Sequence, residues 1–179
     1  QYKDMKHRLD FLKNAKDFYG RYERDALFGT AIREQLELIE RQKLLVRETG
    51  DRSLVDCSVV NTIYKLMRNG NVDKAEALVK KFQISDKKLM HIRLRVFADL
   101  NDWDAIETMA SGKKAPPITY LPFAEAAIKR GEYDRAERYI LKHNEPISQI
   151  NLLIFIEKFR PAAEIAIRSK NFNMLDEIM

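Results

Sequence analysis

Three histidines and one cysteine are the side chains of this 179-residue chain best suited to hold a metal or attack an electrophile. His7, His91 and His143 lie far apart, without the short spacing that sets two ligands on one helix face, so no metal centre is expected among them. Cys57 borders the apolar pair Val59 and Val60, which predicts a buried, inert thiol rather than a nucleophile. The chain has no glycine-rich phosphate cradle, no His-Glu-x-x-His, no Cys-x-x-Cys, and no nucleophile between paired glycines. Acidic pairs such as Glu23 and Asp25 read as solvated helix charges. The expectation is a chain that binds rather than catalyses, with neither cofactor nor metal.

Charge supplies the better candidates. The chain carries 32 Lys and Arg against 27 Asp and Glu, a net +5, and most of the excess sits in residues 51–100, with ten basic and six acidic side chains. There Lys80, Lys81, Lys87, Lys88, Arg93 and Arg95 have only Asp86 nearby. A solvated helix face is the default for such a run, and a protein-binding surface is the next reading. Nucleic acid comes third, because stacking aromatics do not interleave with the cations. Lys88, His91 and Arg95 recur at three and four spacing and so share one helix face, where a docked partner would touch all three.

The elements that position these residues follow from apolar periodicity. Tyr2, Met5, Leu9, Leu12 and Tyr19 predict an amphipathic helix ending at Gly20, its stripe widened by Phe11 and Phe18. A longer helix is predicted over 24–47, stopping at Gly50, with Gly29-Thr30 as a candidate kink or break. On its wheel Leu27, Ala31, Leu38 and Leu45 form one line and Phe28, Ile32, Leu36, Ile39 and Val46 an adjacent one. Together they cover about half the circumference, more than the roughly 100° stripe a single neighbour requires, so burial on two sides or by a partner is expected.

From Asp56 onward a five-residue signature recurs: apolar, Asp or Asn, any residue, apolar, acidic. Copies start at Val72, Trp103 and Tyr133, thus 31 and 30 residues apart, and a weaker one at Phe172. This period admits one helical hairpin per copy and marks stacked repeats. The acidic or amide residue is suited to the free amides of the return helix, a contribution of roughly 0.5–2 kcal/mol. The apolar residue before it is expected to fold back as a staple, and Ala75, Ala136 and Ala163 to let helices approach closely. Asn69-Gly70-Asn71, Asn101, Arg130-Gly131 and the loop from Ser111 to Pro117 punctuate the hairpins, Ser85 caps one helix, and a last complete helix opens at Pro161. The predicted fold is all-α, an α-solenoid of stacked antiparallel hairpins. It runs uncapped to both ends, which predicts a single solenoid fragment, 1–179, cut from a longer protein. The lone cysteine predicts a reducing, cytosolic setting, and no apolar run reaches the roughly 20 residues a membrane span needs.

The stretches Gln83 to Leu89, Ala98 to Trp103, Lys113-Lys114 with Tyr120 to Glu125, and Arg160 to Glu164 carry a family resemblance. They resemble the C-terminal domain of the vacuolar protein sorting-associated protein numbered sixteen, a core subunit of the HOPS and CORVET membrane tethers, most specifically over residues 71–167. The resemblance implies a non-enzymatic scaffold that works with the other tether subunits at late endosomes and vacuoles or lysosomes. It implies that this region binds a Sec1/Munc18-family protein, and through it acts indirectly on SNAREs. It also implies that the first half of the chain holds that partner, with Lys88 as the contact; Ala31 and Leu38 join the candidate surface from the wheel of the long helix. Neither nucleic acid nor direct membrane insertion belongs to this reading. The alternative is a generic tetratricopeptide-like module that takes short peptides in a concave groove.

Overall fold

A computed structural model describes residues 2–19, 26–112 and 116–175, with the side chains of 2–6, 26 and 27 left aside. The expected apolar roles of Tyr2, Met5 and Leu27, the stop at Gly20, the pair Glu23 and Asp25, the loop centre 113–115 and the signature residue Asp176 lie outside that description. The described residues form ten α-helices and two 3-10 turns, with no strand. The helices are α1 (Tyr2–Tyr19), α2 (Ala26–Thr49), α3 (Val59–Arg68), α4 (Val72–Lys81), α5 (Asp86–Asp99), α6 (Trp103–Ala110), α7 (Leu121–Lys129), α8 (Tyr133–Leu141), α9 (Pro146–Phe155) and α10 (Phe159–Arg168). Arg52–Leu54 and Phe172–Met174 are the 3-10 turns. Two compact units divide the chain at Leu78 and Val79.

In residues 1–78, α2 runs unbroken through Gly29, so the break allowed there does not occur. Leu36, Leu38, Ile39, Leu45 and Val46 are buried, whereas Phe28 and Ala31 at the other end of α2 are exposed. Leu36 and Ile39 pack with Leu9 of α1. Each such burial contributes roughly 1.5–3 kcal/mol. Gln42, on the buried side, is fully enclosed; its Nε2 donates to the Cys57 carbonyl at 2.7 Å and the Thr62 hydroxyl at 2.8 Å. This fastens α2 to the start of α3. Arg8 pairs with Asp56 at 2.5 Å, tying α1 to the same connection.

In residues 79–179 the core is continuous. Phe123 and Tyr139, rings 5.7 Å apart, sit among Ile106, Ile140, Ile150 and Leu153, all buried. Neighbouring helices pack in chain order: α5 on α6, α7 on α8, α8 on α9, α9 on α10. Also, α5 packs on α7, the first helices of successive hairpins.

One turn closes all four hairpins α3/α4, α5/α6, α7/α8 and α9/α10. Gly70, Asn101, Gly131 and Glu157 occupy its left-handed position, with φ of 77°, 56°, 74° and 60°. The next residue's amide donates five residues back, as from Asn71 to Leu66 at 2.8 Å and from Lys158 to Leu153 at 2.9 Å. That bond satisfies a carbonyl the first helix would otherwise leave unpaired. The return helix starts one residue later, at Val72, Trp103, Tyr133 and Phe159. The fourth hairpin therefore returns at Phe159, not at Pro161 and not at the weak copy at Phe172, which forms only a 3-10 turn. Sequence reading passed over it because Glu157 stands where Gly or Asn is usual.

The signature's fourth position is the structural constant. Ala75, Ile106, Ala136 and Ala162 are each 0% exposed. The first position varies: Trp103 is buried under the Arg135 guanidinium, 5.5 Å from the ring centre, but Val72 and Tyr133 are about half exposed. Of these three, Trp103 is enclosed as the staple expectation required, with Arg135 of the third copy as its cover.

Candidate functional site

The Ser85 hydroxyl caps α5, accepting from the Lys88 amide at 3.4 Å as expected from the sequence. The cap sets the phase of the helix. Lys88, His91 and Arg95 remain exposed as one strip, with the buried Leu94 and Ala98 along one border and Ile92 and Val96 along the other. His91 and Arg95 line a groove of 560 Å³ between α5 and α7. Its far wall carries Glu125, Ala126 and Lys129, and Lys88 stands outside it. An ion pair from Arg130 to Asp99 ties the last turns of the two helices together. Tyr120 to Glu125 carried the family resemblance but no binding motif, so nothing in the sequence signalled that α7 would wall a groove.

The other sequence-derived contacts separate. Ala31 is exposed, whereas Leu38 is 3% exposed and belongs to the chain's own interior, so it is not a surface contact. The wheel gives a residue's direction but not what packs at each level along the axis. Cys57 is half-buried rather than buried; its thiol donates to the Ser53 carbonyl at 3.2 Å and accepts from the Lys65 ammonium at 3.2 Å. It is a polar fastening of the turn before α3. His7 is on α1, His91 on α5 and His143 after α8, where it lies 3.9 Å from Glu145.

Acidic signature positions in residues 79–179 act as links between copies. Glu107, the fifth residue of the second copy, accepts from the Tyr139 hydroxyl of the third at 2.6 Å. Burial, then that hydrogen bond, push the Tyr139 phenol well above its ordinary range. Asp134 and Glu137, second and fifth in the third copy, hold Lys158 at 3.0 Å each, directly ahead of α10. Glu137 and then Asp134 raise the Lys158 ammonium above its usual value. These groups stabilise charges already paired within the chain. They are not poised for proton transfer.

The region described by the family name Vps16, C-terminal region, matches residues 1–179, the whole chain. The chain belongs to this family. Among relatives, it is 34% identical over 147 residues to the vacuolar protein sorting-associated protein 16 homolog of Dictyostelium discoideum, covering 82% of this chain and 18% of that one. It is 28% identical over 186 residues to vacuolar protein sorting-associated protein 16 of Saccharomyces cerevisiae, covering 99% and 23%. Protein VACUOLELESS1 of Arabidopsis thaliana is 26% identical over 164 residues, covering 92% and 19%. The chain spans about a fifth of the length of these relatives. For the Vps16 C-terminal region seen here, no helix among the described residues is long and apolar enough to cross a membrane.

Proposed function

We propose that this chain is a non-enzymatic α-solenoid scaffold of a vacuolar or endolysosomal membrane-tethering complex. It binds a Sec1/Munc18-family protein and so couples tethering to SNARE-mediated fusion, acting from the cytoplasmic side of late endosomes and vacuoles or lysosomes. Membership of the Vps16 C-terminal family supports the complex and the compartment. The four hairpins with one turn geometry, and the packing of α5 on α6 and α7 and of α7 to α10 in chain order, support a solenoid. Polar signature groups spent on links between copies support a structural rather than catalytic use of these residues.

The observation that carries the partner reading is the outward face of α5. Lys88, His91 and Arg95 are exposed side by side on one strip of the helix, bordered by the buried Leu94 and Ala98 on one flank and Ile92 and Val96 on the other. Lys88→Glu places a carboxylate where the partner would meet an ammonium, and like charges across an interface cost several kcal/mol. The substitution is expected to abolish co-purification with a Sec1/Munc18-family protein and to leave helicity by circular dichroism unchanged. Retained co-purification would remove Lys88 from the interface and this reading of α5 with it.

A further inference from the structure

The polar links sort the charges of residues 79–179 onto two opposite edges. The Arg130 to Asp99 pair ties the α7/α8 turn to the α5/α6 turn, and the Lys158 to Asp134 pair ties it to the α9/α10 turn, so these turns share one edge. The connections between hairpins and the end of α10 lie along the other. On the turn edge Arg130, Arg135, Lys158 and Arg160 each meet a carboxylate. The connecting edge is different. Lys80, Lys87 and Lys88 flank the joint from α4 to α5, Lys142 follows α8, and Arg168 and Lys170 end α10; all are exposed. None of them forms an ion pair among the described residues, and the exposed acids described in these joints are Asp86 and Glu145. Lys142 rests over the Tyr120 ring, which leaves its charge unneutralised.

Helix stability accounts for only part of this placement. Lys80, Lys142 and Arg168 complement the negative ends of α4, α8 and α10, but Lys87 and Lys88 stand in the first turn of α5, where a helix disfavours cations. The cations also span three hairpin layers, roughly 20 Å at 8–10 Å between packed helices, well beyond the Debye length of about 8 Å at physiological salt. A small anion cannot meet them together, whereas a continuous anionic surface does. A nucleic-acid strand would need a row of exposed rings on which to stack its bases, and among the described residues this edge offers Phe172 alone. We propose that the connecting edge rests on an anionic lipid bilayer, whose headgroups meet these cations without insertion of any helix. The contact goes beyond the Sec1/Munc18 reading and shares Lys88 with it.

Co-sedimentation of the whole chain with phosphatidylcholine vesicles holding about 30 mol% phosphatidylserine tests this, beside vesicles of phosphatidylcholine alone. Expected are saturable binding to the anionic vesicles, at least tenfold weaker binding to the neutral ones, and steep weakening as salt rises. Lys80→Glu with Lys87→Glu, and Arg168→Glu with Lys170→Glu, should each weaken binding at least tenfold. The change at Lys87 puts an acid where α5 favours one, so binding lost there is not folding lost. Lys129→Glu with Arg160→Glu makes the same change of net charge on the turn edge and should alter affinity less than threefold. No binding to the anionic vesicles at low salt, equal binding to the neutral ones, or an equal loss from the turn-edge pair would overturn the proposal. So would tighter binding, at equal phosphate concentration, of a labelled uridine homopolymer, which would assign the edge to nucleic acid. The Arg168 and Lys170 pair leaves Lys88 intact and should spare co-purification with the folded partner, so failure of one reading leaves the other standing.

Discussion

Residues 79–179 and residues 1–78 both bury helix faces, but they place their polar groups differently. In the later region polar side chains link one copy to the next, Glu107 reaching Tyr139 and Glu137 reaching Lys158, and the buried Gln149 donates to backbone carbonyls alone, those of Ile140 and Leu141. In the earlier region the buried amide needs a side-chain partner as well: Gln42 is 0% exposed and bridges the Cys57 carbonyl and the Thr62 hydroxyl. The first arrangement can be repeated, because each copy presents the same small or branched residue inward and the same kind of charge outward. The second is specific to one junction, since a buried amide requires its partners at one place only. Repetition explains why the later region carries a readable signature, and the earlier one only periodicity.

Four substitutions probe this difference, the largest effect first. Phe123→Ala empties a fully buried site against Tyr139 and should destabilise by about 3–5 kcal/mol, seen in urea denaturation. Amide hydrogen exchange should rise across α7 to α9; an equal rise in α2 would show that the two units unfold as one block. Gln42→Leu removes two buried hydrogen bonds and should cost about 1–3 kcal/mol, with faster exchange in α2 and α3. No loss would mean that the amide is dispensable and the contrast between regions is only one of sequence.

Glu157→Gly tests the shared turn in the opposite direction. A side chain in the left-handed region costs roughly 1–2 kcal/mol, and the extra freedom of an unfolded glycine offsets part of the relief. The substitution should therefore raise stability by about 0.5–1 kcal/mol, measured by the urea midpoint. Asp51→Asn should have the smallest effect and show it only in acid. Hydrogen bonds from Ser53 hold the Asp51 carboxyl below the usual aspartate range in the folded chain. A lowered folded pKa gives stability that is present above 3.8 and lost as pH falls through the lower folded value. The wild-type midpoint should thus fall more than that of the asparagine variant between pH 5 and pH 3.

Much of the helical pattern was legible before the structure. Ser85 as a cap, the three return helices at Val72, Trp103 and Tyr133, and the exposure of Lys88, His91 and Arg95 all follow from local spacing. The fourth hairpin was not legible, since Glu157 and Phe159-Arg160 match neither the turn nor the signature. There the burial of Ala162 and the backbone closure from Lys158 to Leu153 override residue preference. Leu38 was assigned to a surface because it shares a wheel line with Ala31, yet one is buried and the other exposed. Gln42 was missed because a polar residue on an apolar helix face gives no sign of whether partners await it.

The sequence by itself determined where helices start and stop, which face of each is apolar, and the period of the repeat. These are set by interactions within a turn or two of the chain, through caps, left-handed turn residues and the 3.6-residue spacing. Tertiary structure alone decided that α5 and α7 would face each other across an open groove, and that Arg135 would cover Trp103. It also decided that Glu157 would serve as a glycine. Those outcomes depend on packing between segments tens of residues apart, where the energy of a shared core outweighs what any one residue prefers.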